Sequence, residues 1–358
     1  MSPLDNRAII KQLDTDNYLS HLLDAPEQIV DGFHLGEEIT IPALYAQAKQ
    51  VVLLATGEML PVALAVQALA VEYARVPVVI VFDYVLPHWV SSDTLVIALD
   101  YYGTTEQVLV AFREAASRRA RLLAISVGGD LSREARRVRA VHVPLSYGAP
   151  ARAAFFYAFS CVAYIFRKLD LTELRESTVT ESSVLTRSLL ESIGPEVAQY
   201  QNNAKQLAEK ILTRKTIVVG SGPLIGIAKR WQLALAQNSK AVITSSTLNE
   251  FNDTIINGLG YFSKPIEAPF VIMLQSKYDH PRNKLQQTLT YQVAQAQKII
   301  YEQIFMHPSG SLFGEIVLAA LLGDMTSYYV ALLSHHNPSP LDATDYIRGR
   351  LKEEKLFE

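Results

Sequence analysis

Short apolar runs alternate with helical segments along the first half of the chain. Runs rich in Val, Ile and Leu predict five strands, at 51–55, 76–82, 93–99, 121–126 and 141–144. Runs that are apolar on both faces are typical of a parallel sheet covered by helices on both sides. Ligands of such sheets bind just beyond the carboxyl ends of the strands. We therefore expect function at the loops 55–60 and 100–105.

The second half of the chain repeats this alternation. Its predicted strands lie at 215–220, 241–244, 270–274 and 298–305, and its longest predicted helix at 312–333. The segment 248–256 is polar and reads either as a loop or as the start of a helix. The whole pattern predicts an α/β fold made of two doubly wound parallel-sheet domains.

Polarity along the chain suggests where these domains begin and end. The stretch 170–185 is the least apolar part of the middle, so we place the domain boundary there. The predicted units are a helical N-terminal extension (1–45), a first domain (46–175), a second domain (186–335) and a helical C-terminal tail (336–358). The strongly apolar helix predicted at 150–170 packs either across the sheet or at a subunit contact.

Composition narrows the class of protein. The chain has 358 residues, of which 49% are hydrophobic and 19% charged, and its formal net charge is −3. This balance gives no reason to expect nucleic acid or an anionic membrane as a partner. The apolar run 153–166 is shorter than the roughly 20 residues that span a bilayer, and the acidic N-terminus does not resemble a signal peptide. We expect a soluble, cytoplasmic protein.

The single cysteine, Cys161, lies inside the apolar run 153–166. One cysteine cannot form an intrachain disulfide, and its surroundings predict a buried, unreactive thiol. His307, His335 and His336 do not have the spacing of a metal site, so we expect structural or surface roles for them. The sequence has no P-loop and no nucleophile elbow, and we expect neither a metal nor a cofactor.

Candidate phosphate sites are weak and carry acids. Gly103, Thr104 and Thr105 offer hydroxyls and N–H groups at a helix start, but Asp100 just upstream would repel a phosphate. Gly57 is the only glycine of its loop, and Glu58 follows it directly. In the second half, Ser221-Gly222-Pro223 fits a tight strand–helix turn better than a phosphate loop, because proline removes one N–H donor.

The layout resembles the sugar isomerase (SIS) domain proteins, and most closely the bifunctional phosphoglucose/phosphomannose isomerase family. The resemblance covers about residues 51–351. Its motifs are Asp100-Tyr-Tyr-Gly-Thr-Thr105, the turn Gly128-Gly-Asp-Leu131, the segment Arg152-Ala-Ala154 and Asn337-Pro338 with the terminal helix. It implies a homodimer that binds a sugar phosphate between its domains, isomerised by a Glu that shuttles a proton through an enediol, with a His and a Lys assisting.

By this resemblance, most residues of the expected site are replaced. The catalytic Glu falls on Gln237, the His on Asp253 and the Lys on Arg348, while Arg152 and Glu250 match well. The hydroxyl-rich phosphate loops fall on the segments that contain Gly57 and Gly103. A Gln cannot accept a proton as a carboxylate does, and an Arg cannot act as a general acid at neutral pH.

Three hypotheses follow from the sequence. In the first, the chain has lost ordinary isomerase activity and remains as a sugar-binding or regulatory dimer. In the second, it is an enzyme on a different sugar derivative, with Glu250 or Asp253 as the base and Arg152 as an anion anchor. In the third, it is a structural partner of an active paralogue, with the apolar helix 153–166 as its interface.

Overall fold

The computed structural model describes residues 3–261, 269–306 and 309–354. Its first sheet has five parallel strands in the order β2-β1-β3-β4-β5. The strands are β1 (Gln50–Ala55), β2 (Val78–Val81), β3 (Thr94–Leu99), β4 (Arg121–Ser126) and β5 (Val141–Pro144). The predicted strands of the first half are thereby confirmed. β2 begins two residues later than predicted, because Pro77 has no N–H to donate to a neighbouring strand.

Helices connect these strands and precede them. Three lie before β1, and the others follow β1, β3, β4 and β5 in turn. They are α1 (Arg7–Leu13), α2 (Tyr18–Leu23), α3 (Ala25–Glu38), α4 (Leu60–Ala70), α5 (Glu106–Ser117), α6 (Gly129–Arg137) and α7 (Phe155–Lys168).

The second sheet has four parallel strands in the order β7-β6-β8-β9. They are β6 (Thr216–Gly220), β7 (Ile243–Thr247), β8 (Phe270–Gln275) and β9 (Ile300–Phe305). Helices α8 (Glu176–Ile193) and α9 (Asn203–Leu212) lead into this sheet. The prediction of two parallel-sheet α/β units is confirmed. The proposed domain limits stay a prediction, and part of the segment 170–185 belongs to α8.

The remaining helices cover the second sheet and form the tail. They are α10 (Ile225–Ser239), α11 (Leu248–Glu250), α12 (Ile256–Leu259), α13 (Pro281–Ala296), α14 (Leu312–Leu333) and α15 (Asp342–Glu353). A π-helical turn, Phe251–Ile255, joins α11 to α12, so the segment that the sequence left open between loop and helix is helical. His307 lies outside the described residues.

The two sheets share one hydrophobic core, in which α4 of the first unit packs against α10 of the second. A Cβ on Gly226 would lie 2.7 Å from Leu64 Cβ, so this close crossing of the helices depends on glycine. The core helix α14 is long and apolar enough to cross a membrane by length and composition, but 94% of its apolar window is buried inside the fold.

Helix α7 is part of the same core. All of its residues from 155 to 166 are buried, and it packs against α3 and α4. The third hypothesis is therefore wrong in its choice of interface, because the apolar surface of this helix is already buried within the chain. Burial also raises the pKa of the Cys161 thiol to about 12, which keeps it protonated at neutral pH and unreactive.

Candidate functional site

The loop after β1 turns sharply into α4. Thr56 is extended, Gly57 has a φ of +51°, and residues Gly57–Met59 form one turn of 3-10 helix. A left-handed φ favours glycine, so this single glycine is explained by the turn. The turn places Glu58 at the carboxyl edge of the first sheet, where the fold predicts a ligand.

The loop after β3 approaches a neighbouring turn closely. Gly103 has a φ of +67°, and a Cβ there would lie 2.1 Å from the carbonyl oxygen of Gly128. No other residue fits at this position without moving the backbone. Gly103 and Gly57 therefore shape the two loops, and their presence is not by itself evidence of phosphate binding.

Asp100 fills the anion-binding end of α5 with its own carboxylate. Its Oδ2 accepts a hydrogen bond from the Thr105 backbone N at 2.7 Å, and its Oδ1 accepts one from Thr105 Oγ1 at 3.0 Å. Burial raises the pKa of Asp100, and the hydrogen bonds from Thr105 oppose that rise. The backbone N–H and the hydroxyl of Thr105 are therefore already in use, and the Gly103 backbone N donates to the Asp100 carbonyl oxygen at 3.0 Å.

A cavity of about 600 Å³ opens beside these loops. It lies between the loop ends, α5 and the C-terminal helix α15, and its volume is in the range of small-molecule sites. Four carboxyl side chains and two guanidinium groups face it, among hydroxyl and apolar groups. The lining residues are Thr56, Gly57, Glu58, Thr104, Thr105, Glu106, Gln107, Leu109, Val110, Arg113, Asp130, Thr344, Ile347, Arg348, Leu351 and Glu354.

Glu58 joins three distant parts of the chain at this cavity. Arg348 Nη2 of α15 donates to both carboxylate oxygens of Glu58 at 3.0 Å. Gln237 Nε2 of α10 donates to Glu58 Oε1 at 3.3 Å. The Glu58 side chain is only 10% exposed, whereas Arg348 is 43% exposed. Two predicted catalytic positions, Gln237 and Arg348, thus meet at Glu58. From the sequence alone, Glu58 is only an acid in a candidate phosphate loop.

The other predicted catalytic residues lie apart from this cavity. Glu250 lines a separate groove between α4 and β7, where Ser246 Oγ donates to its Oε2 at 3.2 Å. Asp253 is exposed on the π-helical turn. Within this chain, neither side chain lines the cavity that contains Glu58.

Arg152 is buried and holds the tail in place. Its Nε donates to Asn238 Oδ1 at 3.0 Å, and its Nη2 donates to the carbonyl oxygens of Pro338 at 3.0 Å and Ser339 at 2.6 Å. Its guanidinium also stacks over the ring of Tyr18 at 5.1 Å. These contacts position the segment that leads into α15, and Arg152 does not line the cavity.

The turn at Ser221 and Gly222 is closed by the chain itself. Ser221 Oγ donates to Asp279 Oδ1 at 2.8 Å, and Gln287 Nε2 donates to Asp279 Oδ2 at 2.9 Å. In the part of the chain that the structure describes, no three His, Cys, Asp or Glu side chains form a group that could hold a metal ion.

Comparison with known proteins shows which family the chain is similar to. Residues 200–351 match the model of the bacterial phospho-glucose isomerase C-terminal SIS domain. The bifunctional phosphoglucose/phosphomannose isomerase of Caldicellulosiruptor bescii is 29% identical over 331 residues, which cover 92% of this chain and 97% of the relative. That of Aquifex aeolicus is 25% identical and covers 77% of this chain and 82% of the relative.

These matches support a divergent member of the bifunctional phosphoglucose/phosphomannose isomerase family. Its fold is also that of the C-terminal domain of glucosamine-fructose-6-phosphate aminotransferase from Francisella tularensis, with a TM-score of 0.66. The alignment covers 88% of this chain and 96% of that structure at 14% identity. This likeness supports the fold alone.

The resemblance gives the contact between Gln237, Glu58 and Arg348 a possible meaning to test. It predicts that Gln237 and Arg348 stand at the family's acid–base positions and Glu58 in its glycine-rich loop, and this placement stays a prediction. Each substitution alone reads as a loss, but together the three side chains form one hydrogen-bonded group. The sequence contains the three residue types but no local signal that brings them together.

Proposed function

We propose that this member of the isomerase family binds an unphosphorylated sugar in the cavity at the first sheet. We propose further that it is impaired in the isomerisation of glucose 6-phosphate and mannose 6-phosphate. The observation that carries the proposal is the Asp100 carboxylate, which takes up the N–H and hydroxyl of Thr105 where a phosphate would bind.

Charge at the cavity supports the same proposal. Four carboxyl groups face it against two guanidinium groups, and Arg348 is already paired with Glu58. A sugar phosphate carries nearly two negative charges, so it would meet like charge at this cavity. Carboxylates, hydroxyls and an amide suit the hydroxyl groups of an uncharged sugar, since they offer both acceptors and donors.

The replaced acid–base residues also support impairment. Gln237 carries no proton-accepting carboxylate, Arg348 stays protonated near neutral pH, and Asp253 lies exposed on another surface of this chain. Loss of one general acid or base costs about 10²–10⁴ in rate. Impairment therefore follows even if a sugar phosphate reaches the cavity.

Two measurements test this function. Coupled assays with the purified chain should show fructose 6-phosphate formation from either sugar phosphate far below the roughly one turnover per second of ordinary enzymes. Turnover at or above that rate would contradict the proposal. Thermal-shift titrations should show stabilisation by an uncharged sugar such as D-glucose or D-mannose but not by its 6-phosphate, because a ligand bound to the folded state raises its stability.

A double variant separates exclusion of phosphate from a general loss of binding. Asp100→Ser together with Glu58→Gly removes both acids and frees the donors of Thr105. We expect this double variant to gain stabilisation by inorganic phosphate and by glucose 6-phosphate. If the double variant folds and still does not respond to either anion, the explanation by internal carboxylates is wrong.

The remaining expectations belong to the same proposal. The strand order β2-β1-β3-β4-β5 supports a doubly wound first domain, and α1–α3 and α15 support helical extensions at both ends. A homodimer and a cytoplasmic location are consistent with family membership. Whether the protein also transforms its sugar depends on Glu58, a carboxylate in contact with two predicted catalytic positions, Gln237 and Arg348.

A further inference from the structure

We propose that Glu58 is a catalytic residue, the carboxylate that moves a proton between C1 and C2 of an unphosphorylated aldose or ketose. This inference rests on the proposed binding of such a sugar in the cavity. It assigns the proton transfer to a residue of the loop after β1, and to neither Glu250 nor Asp253. Gln237 and Arg348 are positioning residues in this arrangement.

The position of Glu58 is the first reason. Its Oε1 lies 3.3 Å from Gln237 Nε2, so a carboxylate stands one hydrogen bond away from the side chain that replaces the family's glutamate. The carboxylate thus lies on the other side of that hydrogen bond and comes from the first unit of the fold. Relative to the family pattern, position 58 changes from glycine to glutamate and position 237 from glutamate to glutamine. One carboxylate therefore remains at the site.

The way Glu58 is held is the second reason. Arg348 donates to both of its oxygens and Gln237 to one, so the carboxylate has a fixed orientation although it faces a cavity. A proton-transfer group works when it is held within reach of the reacting carbon. Its side chain is 10% exposed, which limits competition by bulk water.

The other carboxyl groups that line the cavity are less suited to this role. Asp130 and Glu354 are 41% and 74% exposed, and each pairs with a neighbouring arginine. Glu106 accepts a hydrogen bond from the hydroxyl of Tyr84 at 3.2 Å. Asp100 does not line the cavity, and both of its oxygens are bound by Thr105.

The proposed step balances without a cofactor. In an open-chain aldose, Glu58 removes the proton from C2, and the C–H electron pair forms the C1=C2 bond while the carbonyl electrons move to O1. The proton of the C2 hydroxyl passes to O1 through solvent, and the carbonyl forms at C2. Glu58 then returns its proton to C1, which gives the ketose.

Hydrogen–deuterium exchange tests this assignment directly. The full chain is incubated in D₂O with D-glucose, D-mannose, D-galactose or D-xylose, and loss of the C2 proton signal and ketose formation are followed by NMR. We expect exchange with at least one sugar, and a loss of roughly 100-fold or more in Glu58→Gln. Thermal-shift titration should show that the same variant still binds that sugar.

Two further variants separate catalysis from support of the fold. Glu58→Asp keeps the acid and should retain a measurable part of the exchange, whereas Glu58→Gln should not. The double variant Glu58→Gly with Gln237→Glu moves the carboxylate from position 58 to position 237. It should exchange the C2 proton faster than Glu58→Gln does. Glu27→Gln is the matched control, since Glu27 pairs with Arg187 at 2.6 Å outside the cavity.

The outcomes distinguish the two proposals. Sugar binding without exchange by the unmodified chain would overturn the role of Glu58 and leave the binding function intact. Exchange that persists in Glu58→Gln at the level of Glu27→Gln would overturn the role as well. Absence of both binding and exchange for all four sugars would overturn the proposed function, and this inference with it.

Discussion

The turns that follow β1 and β6 have the same backbone and opposite surroundings. In both, an extended hydroxyl residue, Thr56 or Ser221, precedes a glycine with left-handed φ, +51° at Gly57 and +48° at Gly222. Each glycine opens one turn of 3-10 helix that leads into a helix of the core, α4 or α10. The two units of the fold thus build the same strand–helix corner.

The corners differ in what lies in front of the glycine. A Cβ on Gly57 would meet nothing within 4 Å, whereas one on Gly222 would lie 2.6 Å from Asp279 Oδ1. The first corner opens onto a cavity that Glu58 faces, and the second is closed by the network of Asp279, Ser221 and Gln287. A common backbone therefore does not decide where a ligand binds, since the side chains around it determine whether space remains.

Removal of the carboxylate at each corner should give the largest difference. Asp279→Ala leaves Ser221 Oγ, the Ser276 backbone N and Gln287 Nε2 without their buried acceptor, so we expect a loss of about 3 kcal/mol in the free energy of unfolding. Glu58→Ala removes an ion pair with a partly exposed arginine and should change it by less than about 1 kcal/mol. Urea unfolding of both variants measures this, and equal losses would contradict the contrast between a closed and an open corner.

Alanine substitutions at Gly57 and Gly222 should give a smaller difference in stability. Gly57→Ala should lower the free energy of unfolding only by the strain of a left-handed backbone, about 1–2 kcal/mol. Gly222→Ala adds a contact with Asp279 that is too short for two non-bonded atoms, so it should cost at least about 1 kcal/mol more. Thermal and urea unfolding provide the comparison, and a Gly57 variant that is less stable than the Gly222 variant would show that the first corner is not open.

The pH dependence of stability should give the smallest effect. Comparison with Asp100→Asn shows how much of this dependence is due to Asp100. Burial raises the pKa of Asp100 above its ordinary value of 3.8, so the folded chain binds this proton more tightly than the unfolded chain does. Its contribution to stability is therefore present at low pH and is lost as the pH rises from near 4 through the folded pKa. Relative to Asp100→Asn, the unmodified chain should become less stable over that range. A difference that is flat with pH would mean that burial does not dominate at this site.

Much of the fold was predictable from local pattern. The runs at 93–99 and 270–274 are apolar on both faces, and they are the central strands β3 and β8. The site was predictable only in its place, at the loops after β1 and β3. The sequence did not show that Arg152 is buried against the tail, nor that Glu250 faces a different groove, since both facts depend on how the two units pack together.

By itself, the sequence determined the two parallel sheets, their order along the chain and the resemblance to one family, because strand and helix periodicity and short motifs are local properties. The tertiary structure alone decided that Glu58 contacts Gln237 and Arg348, which lie 179 and 290 positions further along the chain. The first contact requires the close packing of α4 on α10, and the second requires a tail held by Arg152. A hydrogen bond between such distant residues follows from packing in three dimensions, which no local pattern of residues encodes.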